Sequence, residues 1–332
     1  MKKAAIISGV FISGLIGAGF ATGSEIYFYF SRFGVWGVLG IFLAVAIFAY
    51  TQYAVLNQAH IKKAFTLDEY LEKTLKKPLS GLVGIFSYIF MIFILSAMMS
   101  GFGEMMYEMY GVKKLFGAIL MHVCTILIVK IGYRGFVSTQ SVLSVAIIMI
   151  ITGVCVFILA FEDNHIAVFN PQLSWAGSAV CYVGYNMLTA VAVLCILSRD
   201  TDKKSNLFSA VITFVILLIL MLIMWYIISE FDGVINLGAM PILRICMHSS
   251  NTLAMIYSLA VFFSMLTTAV SSAYALSVKC SGGFREYMVY ALSFFLSGFD
   301  FSFIVDRLYR VGGVLSFILI IVIIKKEIKL KR

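Results

Sequence analysis

The carboxylate of Glu25 lies within a strongly apolar part of the chain, two residues after Gly23. An ionised carboxylate inside a membrane costs about 2.5–3.5 kcal/mol even on lenient scales, so such a residue usually marks a path for ions or protons. Four glycines lie close before it, between Gly14 and Gly23. The pattern predicts a site for an ion or a polar solute. The open alternative places Glu25 at the membrane surface, beside water or a basic partner.

The glycines before Glu25 predict a break in the helix that carries them. Each glycine lowers helix propensity by about 1 kcal/mol relative to alanine, and it admits the positive φ angles of an unwound segment. Backbone groups freed at membrane depth must bind something other than lipid, such as an ion or a ligand. The alternative is a face of small residues for close helix packing, which would include Gly17 and Gly23.

Two further apolar segments carry polar side chains. Gly184 and Asn186 lie next to Tyr182 and Tyr185, and the buried amide needs hydrogen-bond partners, so we expect a second helix break there. A packing glycine is the alternative. A later segment holds five hydroxyl side chains within nine positions, more than helix packing requires: Ser264, Thr267, Thr268, Ser271 and Ser272. Oxygen ligands of this kind suit a hard cation such as Na⁺.

The composition identifies the elements that must position these residues. Of 332 residues, 62% are hydrophobic and only 12% are charged, whereas a soluble domain has about 25% charged residues. The chain therefore places most of its surface in lipid, which excludes soluble enzyme folds. It has no HExxH, GxSxG or Walker A motif and no CxxC spacing, so we expect neither an enzyme nor a cofactor or transition-metal site.

Ten segments are apolar enough to cross the hydrocarbon core, which takes about 20 residues of helix. The predicted fold is an all-α integral membrane protein, with residues 1–332 as a single transmembrane domain. The predicted spans are 3–30, 36–56, 79–110, 115–131, 136–161, 175–198, 206–228, 252–278, 286–297 and 306–324.

The basic residues orient these spans. With a cytoplasmic amino terminus, 19 of the 25 Lys and Arg residues fall on the cytoplasmic side, which is the usual bias of membrane proteins. We therefore predict a multi-pass protein of the cell membrane with both termini in the cytoplasm. The basic residues form short clusters between apolar runs rather than one surface, which argues against nucleic acid as a partner.

One predicted loop has structure of its own. Thr66 and Glu69 have the spacing of a capping box, and the residues that follow share an apolar face. This pattern predicts a short amphipathic helix on the cytoplasmic surface.

Ten spans divide into two halves of five, 3–162 and 175–324. An odd number of spans in each half gives the halves opposite orientations in the membrane. Inverted repeats of this kind build many secondary transporters, in which discontinuous helices form the solute site near the bilayer midplane. We therefore expect the first and sixth spans to be discontinuous.

Five motifs in chain order resemble the YkvI family of bacterial membrane proteins: Gly17–Glu25, Phe30, Phe33-Gly34, Tyr185-Asn186 and Thr267-Thr268. The likeness covers essentially the whole chain and is sharpest over its first part. That family belongs with the amino acid–polyamine–organocation superfamily, which has the LeuT fold.

The resemblance implies a solute site at the two helix breaks and a Na⁺ site between the first and eighth spans. The implied ion ligands are Ser13, Ile16, Ser264, Thr267 and Thr268. The implied solute-binding residues are Gly17, Ala18, Gly19, Phe20, Glu25, Ser96, Tyr182, Gly184, Tyr185 and Asn186.

These features predict a secondary active transporter that moves a small polar solute, an amino acid or related amine, by ion-coupled alternating access. Proton-coupled members of the superfamily often carry a Lys in the fifth span, and 136–161 has none, which favours Na⁺; Glu25 as a proton carrier favours H⁺. The expected partners are the solute and the bilayer. The alternative is a receptor similar to the permease subunit of spore germinant receptors, which binds solute without transport. The apolar spans argue against a channel.

Overall fold

The computed structural model describes residues 2–161, 174–281, 283–299, 312–313, 316 and 319–328. The structure of these residues is predominantly helical, and residues 319–328 are helical as well. The named helices are α1 Lys2–Leu15, α2 Ala18–Ala21, α3 Ser24–Tyr29, α4 Val35–Lys62, α5 Leu67–Thr74, α6 Leu79–Tyr110, α7 Lys114–Lys130, α8 Tyr133–Phe161, α9 Trp175–Leu197, α10 Lys203–Phe231, α11 Pro241–Ser249, α12 Asn251–Cys280 and α13 Phe284–Leu296.

Six helices in the described part of the chain are long and apolar enough to cross a bilayer: α4, α6, α8, α9, α10 and α12. The predicted first span is divided among α1, α2 and α3. Helices α7 and α13 are shorter, with 17 and 13 residues. An all-helical, multi-pass membrane architecture is therefore confirmed, whereas the number of ten spans stays a prediction. The predicted boundary near residue 162 and the start of the last predicted span, 306–311, lie outside the described residues.

Helices α1, α9 and α12 contact one another at the centre of the bundle. Helix α4 packs against α9 and α10, and α12 also packs against α6, α7 and α8. In the most apolar stretch of α9, 78% of residues are buried, against 33% in α8. Helix α9 is therefore enclosed by protein, while α8 presents Val142, Val145 and Met149 outwards, as a helix in contact with lipid does.

At one end of the bundle, hydrogen bonds connect segments that are distant in the sequence. The charge pattern places these segments on the same side of the membrane. Three contacts define it: His60 Nδ1 to Ser198 O at 2.9 Å, Tyr133 Oη to Asp200 Oδ2 at 3.1 Å, and Lys279 Nζ to Asp68 Oδ2 at 2.8 Å. We call this the lysine-rich end. The sequence predicts that it faces the cytoplasm.

Helix α5 lies at the lysine-rich end and has the predicted capping box. Thr66 Oγ1 accepts a hydrogen bond from the Glu69 N–H at 3.3 Å, and Glu69 Oε2 accepts one from the Phe65 N–H at 2.8 Å. The apolar face of the helix is buried through Leu67, Tyr70 and Leu71. The predicted amphipathic helix is therefore confirmed, and it packs on α6 rather than standing free.

Helices α6 and α7 approach closely at Gly103. A Cβ atom there would lie 2.5 Å from the Lys114 carbonyl oxygen, so any side chain forces the helices apart. We expect Gly103→Ala to cost about 1–3 kcal/mol of stability through overpacking, measured as a lower melting temperature in detergent. Gly81→Ala on the same helix meets open space and is the control. Equal melting temperatures for the two variants would contradict this close contact.

Candidate functional site

The predicted break in the first span is present at Gly17. Helix α1 ends at Leu15, and α2 begins at Ala18 after Gly17 adopts an extended conformation, with φ −90° and ψ −165°. A second break follows at Gly23, whose φ of 83° is in the left-handed region that favours glycine. Its missing Cβ also leaves room for Ile242, which would otherwise lie 2.8 Å away. The glycine-rich segment thus forms two breaks in succession.

Hydroxyl groups of α12 bind the carbonyl groups at the end of α1. Thr267 Oγ1 donates to Ser13 O at 2.9 Å and to Ser264 O at 3.0 Å, and Thr268 Oγ1 donates to Gly14 O at 3.3 Å. These groups have no intrahelical partner where a helix stops. The Thr267 hydroxyl therefore contacts the carbonyl groups of two other implied ion ligands, Ser13 and Ser264, and Ile16 is buried. Oxygens of this type suit Na⁺.

The carbonyl groups at the second break accept hydrogen bonds from elements at the end of the bundle opposite the lysine-rich end. Tyr257 Oη on α12 donates to Ala21 O at 2.5 Å, and the Ile242 N–H of α11 donates to Thr22 O at 2.9 Å. The Thr22 hydroxyl bonds Ala18 O at 2.7 Å. The carbonyl groups around α2 are thus satisfied by neighbouring helices, as membrane burial requires.

Gln140 on α8 is a central residue that the sequence analysis missed. Its Oε1 accepts from the Ser13 hydroxyl at 2.6 Å, and its Nε2 donates to Thr267 O at 2.7 Å and to Ser271 Oγ at 2.9 Å. The side chain is fully buried. One amide therefore joins α8 to both α1 and α12. The signal in the sequence is an amide side chain inside an apolar span, which needs hydrogen-bond partners at that depth.

Glu25 lies in the first turn of α3 and is buried, with 4% of the residue exposed. Its side chain folds back over Gly19, where a Cβ atom would lie 2.5 Å from Glu25 Oε1. The side chains of Tyr185 and Tyr182 reach the carboxyl group from α9. Within the described part of the chain, Oε2 makes no hydrogen bond. Glu25 is therefore enclosed by the protein rather than in contact with water, while its depth in the membrane stays a prediction.

The two tyrosines that reach this carboxyl group belong to a larger group of rings, which we call the aromatic cluster: Tyr29, Phe30, Tyr182 and Tyr185. The Tyr182 ring lies 5.4 Å from Tyr29, 5.1 Å from Phe30 and 5.7 Å from Tyr185, measured between ring centroids. Rings at these distances pack favourably. Together with the Glu25 carboxyl group they offer hydrogen-bond acceptors and electron-rich ring faces, and such faces attract a cation.

The expected break in the sixth span is wrong, because α9 is a continuous helix through Gly184. A Cβ atom on Gly184 would lie 2.5 Å from Gly313 O, so this glycine permits close packing. The Asn186 amide donates to Tyr182 O, one turn earlier, at 3.0 Å. The buried amide is satisfied within its own helix, and no unwinding is needed.

The remaining implied solute residues divide into two groups. Ala18, Gly19 and Phe20 form the buried helix α2 between the two breaks, beside Glu25. Ser96 lies on α6, and its hydroxyl donates to Ile92 O of the same helix at 2.7 Å. A role for Ser96 in solute binding stays a prediction, because its described hydrogen bond serves its own helix.

Solved structures with similar folds are membrane transporters. The chain resembles MhsT in complex with L-phenylalanine, with a TM-score of 0.66, 14% identity, and coverage of 96% of this chain and 80% of MhsT. It also resembles a mutant of the manganese transporter of Eremococcus coleocola, with a TM-score of 0.63, 11% identity, and coverage of 96% and 77%. A Na⁺-coupled sialic acid symporter gives a TM-score of 0.60, 12% identity, and coverage of 96% and 72%. The protein therefore has the LeuT fold.

Two proteins of Bacillus subtilis (strain 168) are similar in sequence. The uncharacterized membrane protein YkvI is 25% identical over 324 residues, which cover 92% of this chain and 91% of YkvI. The uncharacterized protein YyaD is 22% identical over 329 residues, 93% of each chain. No protein-family model matches the chain. The resemblance to YkvI that the motifs indicate is confirmed over nearly the whole length.

Replacing Gln140 tests whether its amide holds the three helices together. We expect Gln140→Leu to destabilise the protein by about 1–2 kcal/mol, because Thr267 O and Ser271 Oγ lose a donor in a buried site. The measurement is thermal unfolding in detergent. Ser141→Ala is the neighbouring control, since that hydroxyl bonds only Val137 O of its own helix. A melting temperature for Gln140→Leu equal to that of the control would refute this role.

Proposed function

We propose that the protein is a secondary active transporter for a small polar solute, an amino acid or related amine, working by ion-coupled alternating access. The observation that carries the proposal is the buried carboxylate of Glu25 beside a helix broken at Gly17 and Gly23. Ten spans arranged as two inverted halves, 3–162 and 175–324, form part of the proposal. The likeness to transporters of the LeuT fold supports it.

Glu25 and the aromatic cluster are the proposed solute seat. A carboxylate with an oxygen that lacks a hydrogen bond would accept one from an ammonium group, and tyrosine faces would add cation–π attraction. The backbone of α2 would contact the rest of the solute, with Gly19 leaving space for the Glu25 side chain. This arrangement supports an amino acid or amine better than a purely anionic solute.

Movement of α1 against α12 is the proposed basis of alternating access. The two helices meet through hydroxyl–carbonyl bonds from Thr267 and Thr268, which can be exchanged for other polar partners. The breaks at Gly17 and Gly23 allow α1 and α3 to move separately while α9 stays a continuous support. The lysine-rich end is the proposed cytoplasmic end, in accordance with the excess of basic residues there.

Two coupling ions fit the described side chains. Na⁺ would bind among the oxygens of Ser13, Ile16, Ser264, Thr267 and Thr268, and the chemistry of these ligands favours it. H⁺ would instead bind Glu25. The first choice is Na⁺, and the hydrogen bonds of Thr267 to Ser13 O and of Thr268 to Gly14 O support it.

Uptake into liposomes tests the proposed function. A panel of amino acids and amines is offered under an inward Na⁺ or H⁺ gradient, and we expect gradient-driven uptake of at least one. Glu25→Gln should lower solute affinity roughly tenfold or more, because a charge-assisted hydrogen bond is lost. Glu72→Gln on the exposed face of α5 is the control. Solute-dependent stabilisation without uptake under any gradient would instead indicate the receptor function.

The proposed Na⁺ site is tested separately. We expect Thr267→Ala combined with Thr268→Ala to abolish stimulation of uptake by Na⁺, since two of the proposed oxygen ligands are removed. The paired control is Ser87→Ala with Thr125→Ala, whose hydroxyls bond only carbonyl groups of their own helices. Unchanged Na⁺ stimulation in the α12 variant would exclude this site, and uptake driven only by a pH gradient would assign coupling to H⁺.

A further inference from the structure

Two cavities lie between α9 and α12, one beside the first break and one at the lysine-rich end. The first is a crevice of only about 10 Å³, between Gly14, Val193 and Ser272. The second has a volume of about 200 Å³ and is lined by Ile196 and Val278; we call it the vestibule. Val193 and Ile196 lie three residues apart, so they share a helix face. The two cavities therefore follow one another along the interface between α9 and α12, which we call the groove.

A charged cluster lines the vestibule at the lysine-rich end. Asp68 Oδ2 accepts hydrogen bonds from Lys279 Nζ at 2.8 Å and from Tyr88 Oη at 3.1 Å, and Lys279 Nζ lies 5.0 Å from the centre of the Tyr88 ring. All three residues line the vestibule. They belong to α5, α6 and α12, so a single cluster connects the surface helix to two core helices.

The ion pair in this cluster is weak enough to break and form again. The side chains of Lys279 and Asp68 are 47% and 39% exposed, and ion pairs with that much solvent contribute little to stability. Helix α5 is fixed at its other end, where Lys73 Nζ donates to Lys62 O at 2.8 Å and to Lys63 O at 3.2 Å. Separation of Asp68 from Lys279 would therefore uncover the vestibule without releasing α5 from α4.

We propose that the groove between α9 and α12 is the path by which solute leaves towards the lysine-rich end, and that the Asp68–Lys279–Tyr88 cluster is its gate. The path rests on the proposed transport function, whereas the gate is defined by the described contacts alone. Helix α5 then acts as a lid on the vestibule, which is more than the surface strut that its amphipathic pattern indicates.

Labelling of a cysteine inside the vestibule tests the gate without requiring transport. Ala275→Cys places a thiol on the buried vestibule wall. Its reaction with a maleimide is measured in nanodiscs and located by peptide mass spectrometry, which separates position 275 from the six native cysteines. We expect Asp68→Lys or Lys279→Asp to raise the labelling rate severalfold, and the two combined to restore the slow rate. Glu72→Lys, elsewhere on α5, is the control.

Tyr88→Phe provides a second variant in case charge reversal disturbs folding, which melting temperatures would reveal. It removes the hydroxyl bonded to Asp68 and keeps the ring under Lys279, so we expect an intermediate labelling rate. The proposed gate would be overturned if labelling stayed slow in Tyr88→Phe and in both single charge reversals. Fast labelling in a folded double reversal would overturn it as well. If labelling follows the expected pattern while liposomes show no uptake, the gate stands and the proposed transport function fails.

Discussion

The structure depends on one constraint: backbone groups surrounded by lipid must find partners within the protein. An unbroken helix satisfies this by itself, but the segment between Ser13 and Thr22 does not. Of its free carbonyl groups, three are bound by Thr267, Thr268 and Tyr257 of α12, and that of Thr22 is bound by the Ile242 N–H of α11. Helix α12 must therefore lie beside both breaks, and this requirement determines how α1, α2 and α3 are placed around it.

The two principal walls of the site consequently differ in character. One wall is made of short pieces of helix that carry Glu25, held by hydrogen bonds from other elements. The other wall is α9, a continuous helix enclosed by α4, α1 and α12, which carries Tyr182 and Tyr185. The acidic side of the site is thus held by contacts between separate elements, and the aromatic side by one continuous helix.

The features that could be predicted from the sequence are those determined by neighbouring residues. The glycine spacing located the break at Gly17, and the capping box located the start of α5, because both depend on local backbone preference. The features that failed or were missed depend on distant partners. The sequence predicts a second break at Gly184, but this glycine instead permits close packing against Gly313. Gln140 is important because of its contacts with α1 and α12, which are distant in the sequence. The first span depends on distant partners as well, since its broken helix is held by contacts from α11 and α12.

The hydrogen bond from the Ile242 N–H to Thr22 O connects a helix at the far end of the bundle from the lysine-rich end with the buried segment beside Glu25. Because the bond is between two backbones, it does not depend on side-chain identity at either residue. Together with the packing of Ile242 against Gly23, it couples α11 to the second break. A binding protein directed against α11 would therefore act on the segment beside Glu25 without entering the site.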